Sequence, residues 1–287
     1  MTNFAFAQMS STSYQIDWDS LNYGGSDTSS SGSYILRDTV GNSGAGISSS
    51  TNYSTQAGYR AGIFDEFISF KIFGQENSSS KSASILAGNT VTVSSTSGFS
   101  AGDYIALVQD LGTNQVTAIG KIESVGAEDF TVDFWSDNGT APVVDGTDDY
   151  VYLLDGLSTD FGTLSASSVK TIVIGFEVIL DSDSGYSVQI MEDGDLRSGA
   201  NTITDVADGT VSIGSREYGA KSSDTTLANS TFDTQDTAIT SIFQDIATES
   251  TFQYMSRDFL TLKAAIDSST SSGTYAQILT FIASGNF

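Results

Sequence analysis

Histidine and cysteine are both absent from the 287 residues, and proline occurs once, at Pro142. Without an imidazole or a thiol, no Ser-His-Asp triad, cysteine nucleophile or imidazole general base can be assembled. The usual Cys/His zinc sites are excluded with them, and no disulfide can staple the fold. What remains is carboxylate, lysine and tyrosine chemistry. The composition therefore predicts a protein that is not an enzyme, with no catalytic set and no cofactor. Bases are also scarce: 11 Lys and Arg face 35 Asp and Glu, for a net charge of −24. A phosphate backbone or an anionic membrane surface needs Lys and Arg to meet it, so neither nucleic acid nor membrane is an expected partner. No apolar run is long enough to span a bilayer as a helix. With Pro142 behind Ala141, there is no LPxTG-type wall-sorting signal. If the chain is exported, it is expected to have no covalent or membrane anchor of its own.

Aromatic residues are plentiful, with 17 Phe and 12 Tyr in a chain that is 39% hydrophobic. That is too apolar for disorder and long enough to bury a large core. At the start, Ala5-Phe6-Ala7 has the A-x-A form of a signal-peptidase site, which would leave residues 1–7 as a signal remnant. A basic n-region and a full apolar core are missing, so truncation and chance both remain open. Asn-x-Ser/Thr triplets at Asn52, Asn77, Asn138 and Asn229 need no more than chance in so serine- and threonine-rich a chain.

The dominant pattern has period 2, the signature of strands. In TIVIGFEVIL, Ile172, Ile174, Phe176, Val178 and Leu180 share one face, and Glu177 and Gly175 lie on the other beside Val173 and Ile179. Ile68, Phe70 and Ile72, then Phe130, Val132 and Phe134, then Tyr186, Val188 and Ile190 alternate in the same way. One apolar and one polar face predict antiparallel sheets packed on a core. Asp-Gly and Asn-Gly turn signals at 137–139, 144–146, 192–195 and 207–209 punctuate these runs, as in a sandwich or barrel. Ile239, Ile242, Phe243 and Ile246 follow helical spacing, but the segment is rich in β-branched residues and a short strand is the alternative. The polar stretch QENSSSKS at 75–82 predicts a linker or loop, and the block after it, 82–156, has the short, even strands of a small barrel.

A serine cluster followed by tyrosine recurs as SSTSY, SSGSY and SSTNY, ending at Tyr14, Tyr34 and Tyr53. This spacing suits strand–turn–strand units. The first copy runs on so that Tyr14, Ile16 and Trp18 alternate with Gln15, Asp17 and Asp19. The plain expectation is a first strand in the protein's own sheet. The sharper one is a donor strand in a neighbouring copy's sheet, with residues 1–24 as the arm and Gly24-Gly25 as its hinge.

Several phrases, in order, resemble secreted bacterial surface and filament proteins of the WxL-like and TasA-like class: SSTNYSTQAGY (49–59), DFGTLSASSV (160–169), SGYSVQIMEDGDLRSG (184–199), REYGA (216–220) and SSGTYAQILTFIASGNF (271–287). The resemblance implies an all-β fold, an antiparallel β-sandwich of immunoglobulin-like or jelly-roll-like form built from 25–81 and 157–287. WxL itself is absent, and 82–156 interrupts the class pattern as an inserted small β-barrel. In its GFSAGDYIAL (98–107), Gly98 and Gly102 would make the turn and Phe99 would plug the end. Together with the alternating arm and the lack of a catalytic set or anchor, the resemblance leads to the expectation of a structural subunit of an extracellular, pilus-like surface filament that self-assembles by donor-strand exchange. Its partners would be copies of itself. The alternative is a monomeric adhesin or a module binding surface glycans.

Among the acidic loops, Asp181 and Asp183 open a D-x-D-x-G pattern suggestive of calcium. Two aspartates fall short of the six to eight oxygens calcium takes, and a hairpin turn explains the pattern without metal; DGTDD at 145–149 is weaker still. Paired carboxylates could serve a glycosidase, but nothing singles out one pair among 35 acids. A lysine crosslink through Lys71 or Lys263 to Asn286 or an aspartate is a further candidate; strand lysines more often face solvent.

Overall fold

The computed structural model describes residues 68–180, 184–252 and 254–286, and before residue 68 it describes six short strands by their backbone alone. The chain divides into two compact units, Met1–Glu66 and Phe67–Phe287.

In the first unit the strands pair as three antiparallel hairpins: β1 (Met9–Ser10) with β2 (Gln15–Ile16), β3 (Gly24–Ser30) with β4 (Ile35–Val40), and β5 (Gly46–Ser49) with β6 (Ser54–Ala57). Each repeated tyrosine is the residue immediately before the second strand of its hairpin, because Tyr14, Tyr34 and Tyr53 precede Gln15, Ile35 and Ser54. Gly24 and Gly25, expected to form a hinge, are paired strand residues opposite Val40 and Thr39. Of the expected donor residues, Ile16 pairs with Met9 in backbone register, and Tyr14 and Trp18 lie outside the described residues.

The second unit is all strand and loop, with no helix among the described residues. In chain order its strands are β7 (Ile68–Ala87), β8 (Thr90–Val93), β9 (Tyr104–Gln109), β10 (Val116–Val125), β11 (Asp129–Val132), β12 (Ser136–Asp137) and β13 (Tyr150–Leu154). There follow β14 (Lys170–Leu180), β15 (Tyr186–Glu192), β16 (Leu196–Ser198), β17 (Asn201–Asp205), β18 (Glu217–Ser222), β19 (Gln244–Glu249), β20 (Met255–Ala265) and β21 (Leu279–Gly285). The larger sheet has the order β13-β9-β10-β11-β8-β7-β14-β20-β18-β17-β16, and a further β13–β7 pairing brings the first six of these strands back on themselves. The smaller sheet is β19-β15-β21. All described pairings are antiparallel except β17 with β18.

The two sheets share one core. Ile172, Ile174, Phe176, Val178 and Leu180 of β14 meet Val188 and Ile190 of β15 and Ile246 of β19. Full burial of such side chains is worth about 1.5–3 kcal/mol each. A second cluster, with Val91, Ile105, Ile122, Phe130 and Val151, fills the β7–β13 strands. Phe99 belongs to it, its ring 4.8 Å from that of Phe130, and Gly98 and Gly102 on either side adopt φ of 91° and 98°. Those two angles are left-handed and favour glycine, as the turn expected there requires.

Three expectations need correction. The segment 75–82 is not a linker: it lies within β7, whose Gln75 and Glu76 face Leu154 and Leu153 and whose Lys81 and Ser82 face Val151 and Tyr150. Residues 77–80 oppose Tyr152 alone, so the serine tract is a large bulge in a continuous strand. A serine hydroxyl makes this feasible, because the Leu153 amide donates to Ser79 Oγ at 2.7 Å. The second face of β14 is not polar and solvated. Val173 packs with Phe73, Leu154 and Phe259 in a third cluster, because strands from 82–156 cover that face. Gly175 belongs there: a Cβ on it would lie 2.8 Å from the Phe73 ring and 3.0 Å from Leu154. Finally, the segment around Ile239–Ile246 forms loop and β19 rather than helix. Ile239 and Ile246 are buried and Ile242 is exposed, a pattern no single helical face gives.

Candidate functional site

Two groups of charged side chains stand out in the second unit. The first joins β14 and β20 to the strands that cover them. Glu177 and Arg257 are direct cross-strand neighbours, and the Arg257 side chain is fully buried. Its guanidinium bonds both oxygens of Asp133 at 2.9 Å and Glu177 Oε2 at 3.0 Å. The Tyr104 hydroxyl donates to Glu177 Oε1 at 2.8 Å. The Arg257 cation lies 4.4 Å from the Phe134 ring centre and 5.2 Å from that of Tyr104. Burial alone would raise the Asp133 pKa, but hydrogen bonds from Arg257 and from the Phe134 and Lys121 amides outweigh it and hold the carboxyl below its usual range. Tyr104 is raised by burial and by its bond to Glu177. This group is a clamp: its charges are paired and its rings are packed.

The second group is built by the β15–β16 turn. Glu192 closes β15, Asp193-Gly194-Asp195 make the turn, and Gly194 has φ 124°. Asp205 closes β17 and pairs in register with Tyr218 of β18. Backbone bonds fix the turn from two sides: Glu192 donates to Thr240, Asp193 to Ile278, and Arg197 exchanges bonds with Ala276. Carboxylate oxygens of Glu192, Asp195 and Asp205 thereby come to lie within 4.8 Å of one another. Glu192 is only 5% exposed, and its Oε2, like Asp205 Oδ1, is buried with no hydrogen-bond partner. The Gln277 side chain donates to the Tyr218 hydroxyl at 2.7 Å, while Gln277 Oε1 is also buried and unpartnered. Burial, reinforced by Asp205, Asp195 and Asp193, pushes the Glu192 pKa up to about 7. Burial, with Asp195, pushes Asp205 up to about 6. Tyr218 is raised by burial and then by those two carboxylates. The nearest base is committed elsewhere: Arg197 bonds both oxygens of Asp193, at 3.2 and 2.5 Å, and holds that carboxyl down at about 2.

The structure sorts the acidic loops differently from the sequence. Asp181 and Asp183 lie outside the described residues. In 145–149, Asp149 is buried and accepts the amides of Asp145, Gly146 and Asp110 at 2.8, 2.9 and 3.3 Å, so the loop satisfies its own acid. The turn signal at 192–195 was legible, but the part played by Glu192 and Asp205 was not. The only trace was an acid ending each of two alternating runs. Of the expected crosslink residues, Lys263 meets an aspartate, whereas Lys71 and Asn286 have other neighbours. Lys263 pairs with Asp236 at 2.8 Å, Lys71 approaches Glu177 at 4.0 Å, and the Asn286 amide donates to Ser184 O at 3.2 Å.

Lys263 and Asp236 also line a polar cleft of about 530 Å³ with Asn114, Asn138, Asp208 and Gln235. No family model, curated protein or solved structure matches the chain.

Proposed function

We propose that this protein is a structural subunit of an extracellular bacterial surface filament, a β-sandwich carrying an inserted small barrel, assembled by strand addition between copies. The observation that carries the reading is the unequal treatment of the two edges of the β19-β15-β21 sheet. Along β19 the outer edge is sealed by side chains: the Thr248 amide donates to Asp224 Oδ2 at 2.8 Å, and Ser222 Oγ donates to the Ile246 carbonyl at 2.5 Å. Along β21, among the described residues, no strand pairs with the far edge. An open edge of seven residues is a template for another strand. Head-to-tail contacts that do not close on themselves generate filaments. The donor in this reading is the 1–24 arm, with Tyr14, Ile16 and Trp18 entering the acceptor. The ordered surface-protein phrases and the net charge of −24 support an extracellular setting.

Electron microscopy of the purified chain tests this. Filaments are expected from the full chain, and monomers after deletion of residues 1–24. Filaments that persist after the deletion remove the donor role. A full chain that stays monomeric removes the assembly.

The 530 Å³ cleft favours a second reading, a module that binds surface glycans. Its Asn, Gln, Asp, Thr and Lys lining offers both donors and acceptors to sugar hydroxyls. A glycan array separates the two readings, because only the second expects a ligand on the monomer.

A further inference from the structure

We propose that Glu192, Asp195 and Asp205 together bind one hard divalent cation of the calcium class, which ties the β15–β16 turn to the end of β17. The inference is independent of the filament reading.

Three observations lead to it. The first is size. Oxygens around calcium lie about 2.4 Å from the ion, so opposite ligands are separated by about 4.8 Å. Oxygens of the three carboxylates all fall within 4.8 Å of one another, close enough for a single ion to draw all three into contact with small side-chain adjustments. The second is the unmet hydrogen bonding. Glu192 is only 5% exposed, and its Oε2 has no partner although its strand is paired with β21 throughout and with β19 over residues 186–190. A buried carboxylate oxygen without a donor costs free energy on the order of 1–3 kcal/mol or more. Asp205 Oδ1 repeats the condition from a different strand. The third is the donor set. Every candidate ligand is an oxygen, as calcium and magnesium require and as softer metals do not. The Gln277 carbonyl, buried and unpartnered beside Tyr218, offers a further oxygen in the same neighbourhood.

A cation also resolves what the protein's own bases do not. In the Arg257 clamp, the buried Glu177 and the half-buried Asp133 share a guanidinium. Here the nearest guanidinium, that of Arg197, is spent on Asp193. An enzymatic use of the same carboxylates is disfavoured by access: a sugar ring does not reach a carboxyl buried as deeply as that of Glu192, whereas a bare ion does. Water completes the shell, since three protein carboxylates fall short of the six to eight oxygens calcium takes.

The test uses the full chain, stripped with EDTA and titrated separately with CaCl₂ and MgCl₂ by calorimetry and thermal melting. Binding of one calcium per chain is expected, with an affinity on the order of 10⁻⁴–10⁻³ M, as in extracellular modules, and a saturable rise in Tm. Asp195→Asn and Asp205→Asn should each weaken binding by at least about tenfold, while Asp183→Asn leaves it intact. Stronger binding of magnesium than of calcium would overturn the calcium assignment. Because a ligand variant can fail to fold, hydrogen exchange on the unaltered chain is the second measurement. Calcium should protect 192–205 above all. No calcium binding by the unaltered chain, protection confined to other segments, or unchanged affinity in both folded ligand variants each overturns the site.

Discussion

Glu177 and Glu192 are both glutamates buried in strands of the same unit, and they are held in opposite ways. Glu177 sits opposite Arg257 across the β14–β20 ladder and receives a tyrosine hydroxyl as well. Glu192 sits among other acids, with an oxygen left unpartnered. In the first place the fold supplies the counter-charge from the neighbouring strand. In the second it gathers charge of one sign, and relief has to come from a proton or a cation. Buried ionisable groups thus serve two purposes here. One group fixes how the 82–156 strands lie on β14 and β20. The other is poised to respond to solution conditions.

The largest expected effect breaks the first group. Arg257→Met leaves the buried Glu177 and the half-buried Asp133 without their cation and should cost about 3–5 kcal/mol, measured by urea unfolding at neutral pH. Asp133→Asn should cost less, about 1–3 kcal/mol, since Glu177 still answers the arginine. The pH dependence of that cost sharpens the comparison. The folded-state pKa of Asp133 lies below its ordinary value of 3.8. Its contribution to stability is therefore present above 3.8 and is lost as pH falls through the lower folded-state value. The gap between Asp133→Asn and the unaltered chain should close on acidification; a gap of unchanged size at the lowest pH where both remain folded would contradict the clamp.

In the second group the sign reverses. Without divalent cation, Asp205→Asn removes like-charge repulsion and should stabilise the chain by an amount on the order of 1 kcal/mol. With calcium at millimolar concentration the unaltered chain should become the more stable of the two, as the crossing of two series of melting curves would show. The smallest effect is expected away from both groups. Leu157→Ser, at a side chain that is 84% exposed, should shift stability by no more than about 0.5 kcal/mol.

Much of the strand content was legible in the sequence. The alternation of Ile172 to Leu180 gave β14 its inner face. The glycines of the Asp-Gly and Asn-Gly turns at 139, 146, 194 and 209 all take positive φ. The serine-tyrosine spacing matched three hairpins. What misled was local composition. Three consecutive serines look like a linker, yet Ser78, Ser79 and Ser80 lie in a bulge where the Ser79 hydroxyl stands in for a ladder bond. Helical spacing across Ile239–Ile246 lost to β-branching and to pairing with β15. Of the candidate site, only the turn at 192–195 could be read.

By itself the sequence determined which chemistry is available and where strands alternate: with no histidine or cysteine, carboxylate, lysine and tyrosine chemistry remains, and period 2 specifies two faces for each strand. Tertiary structure alone decided what covers those faces and which acids meet. Asp133 and Arg257 are 124 residues apart in the chain and share two hydrogen bonds, and Glu192 meets Asp205 only because β17 returns beside β16. Alternation is a local property of a pleated backbone, whereas counter-charge and burial are supplied by strands that lie close in space and far apart in sequence.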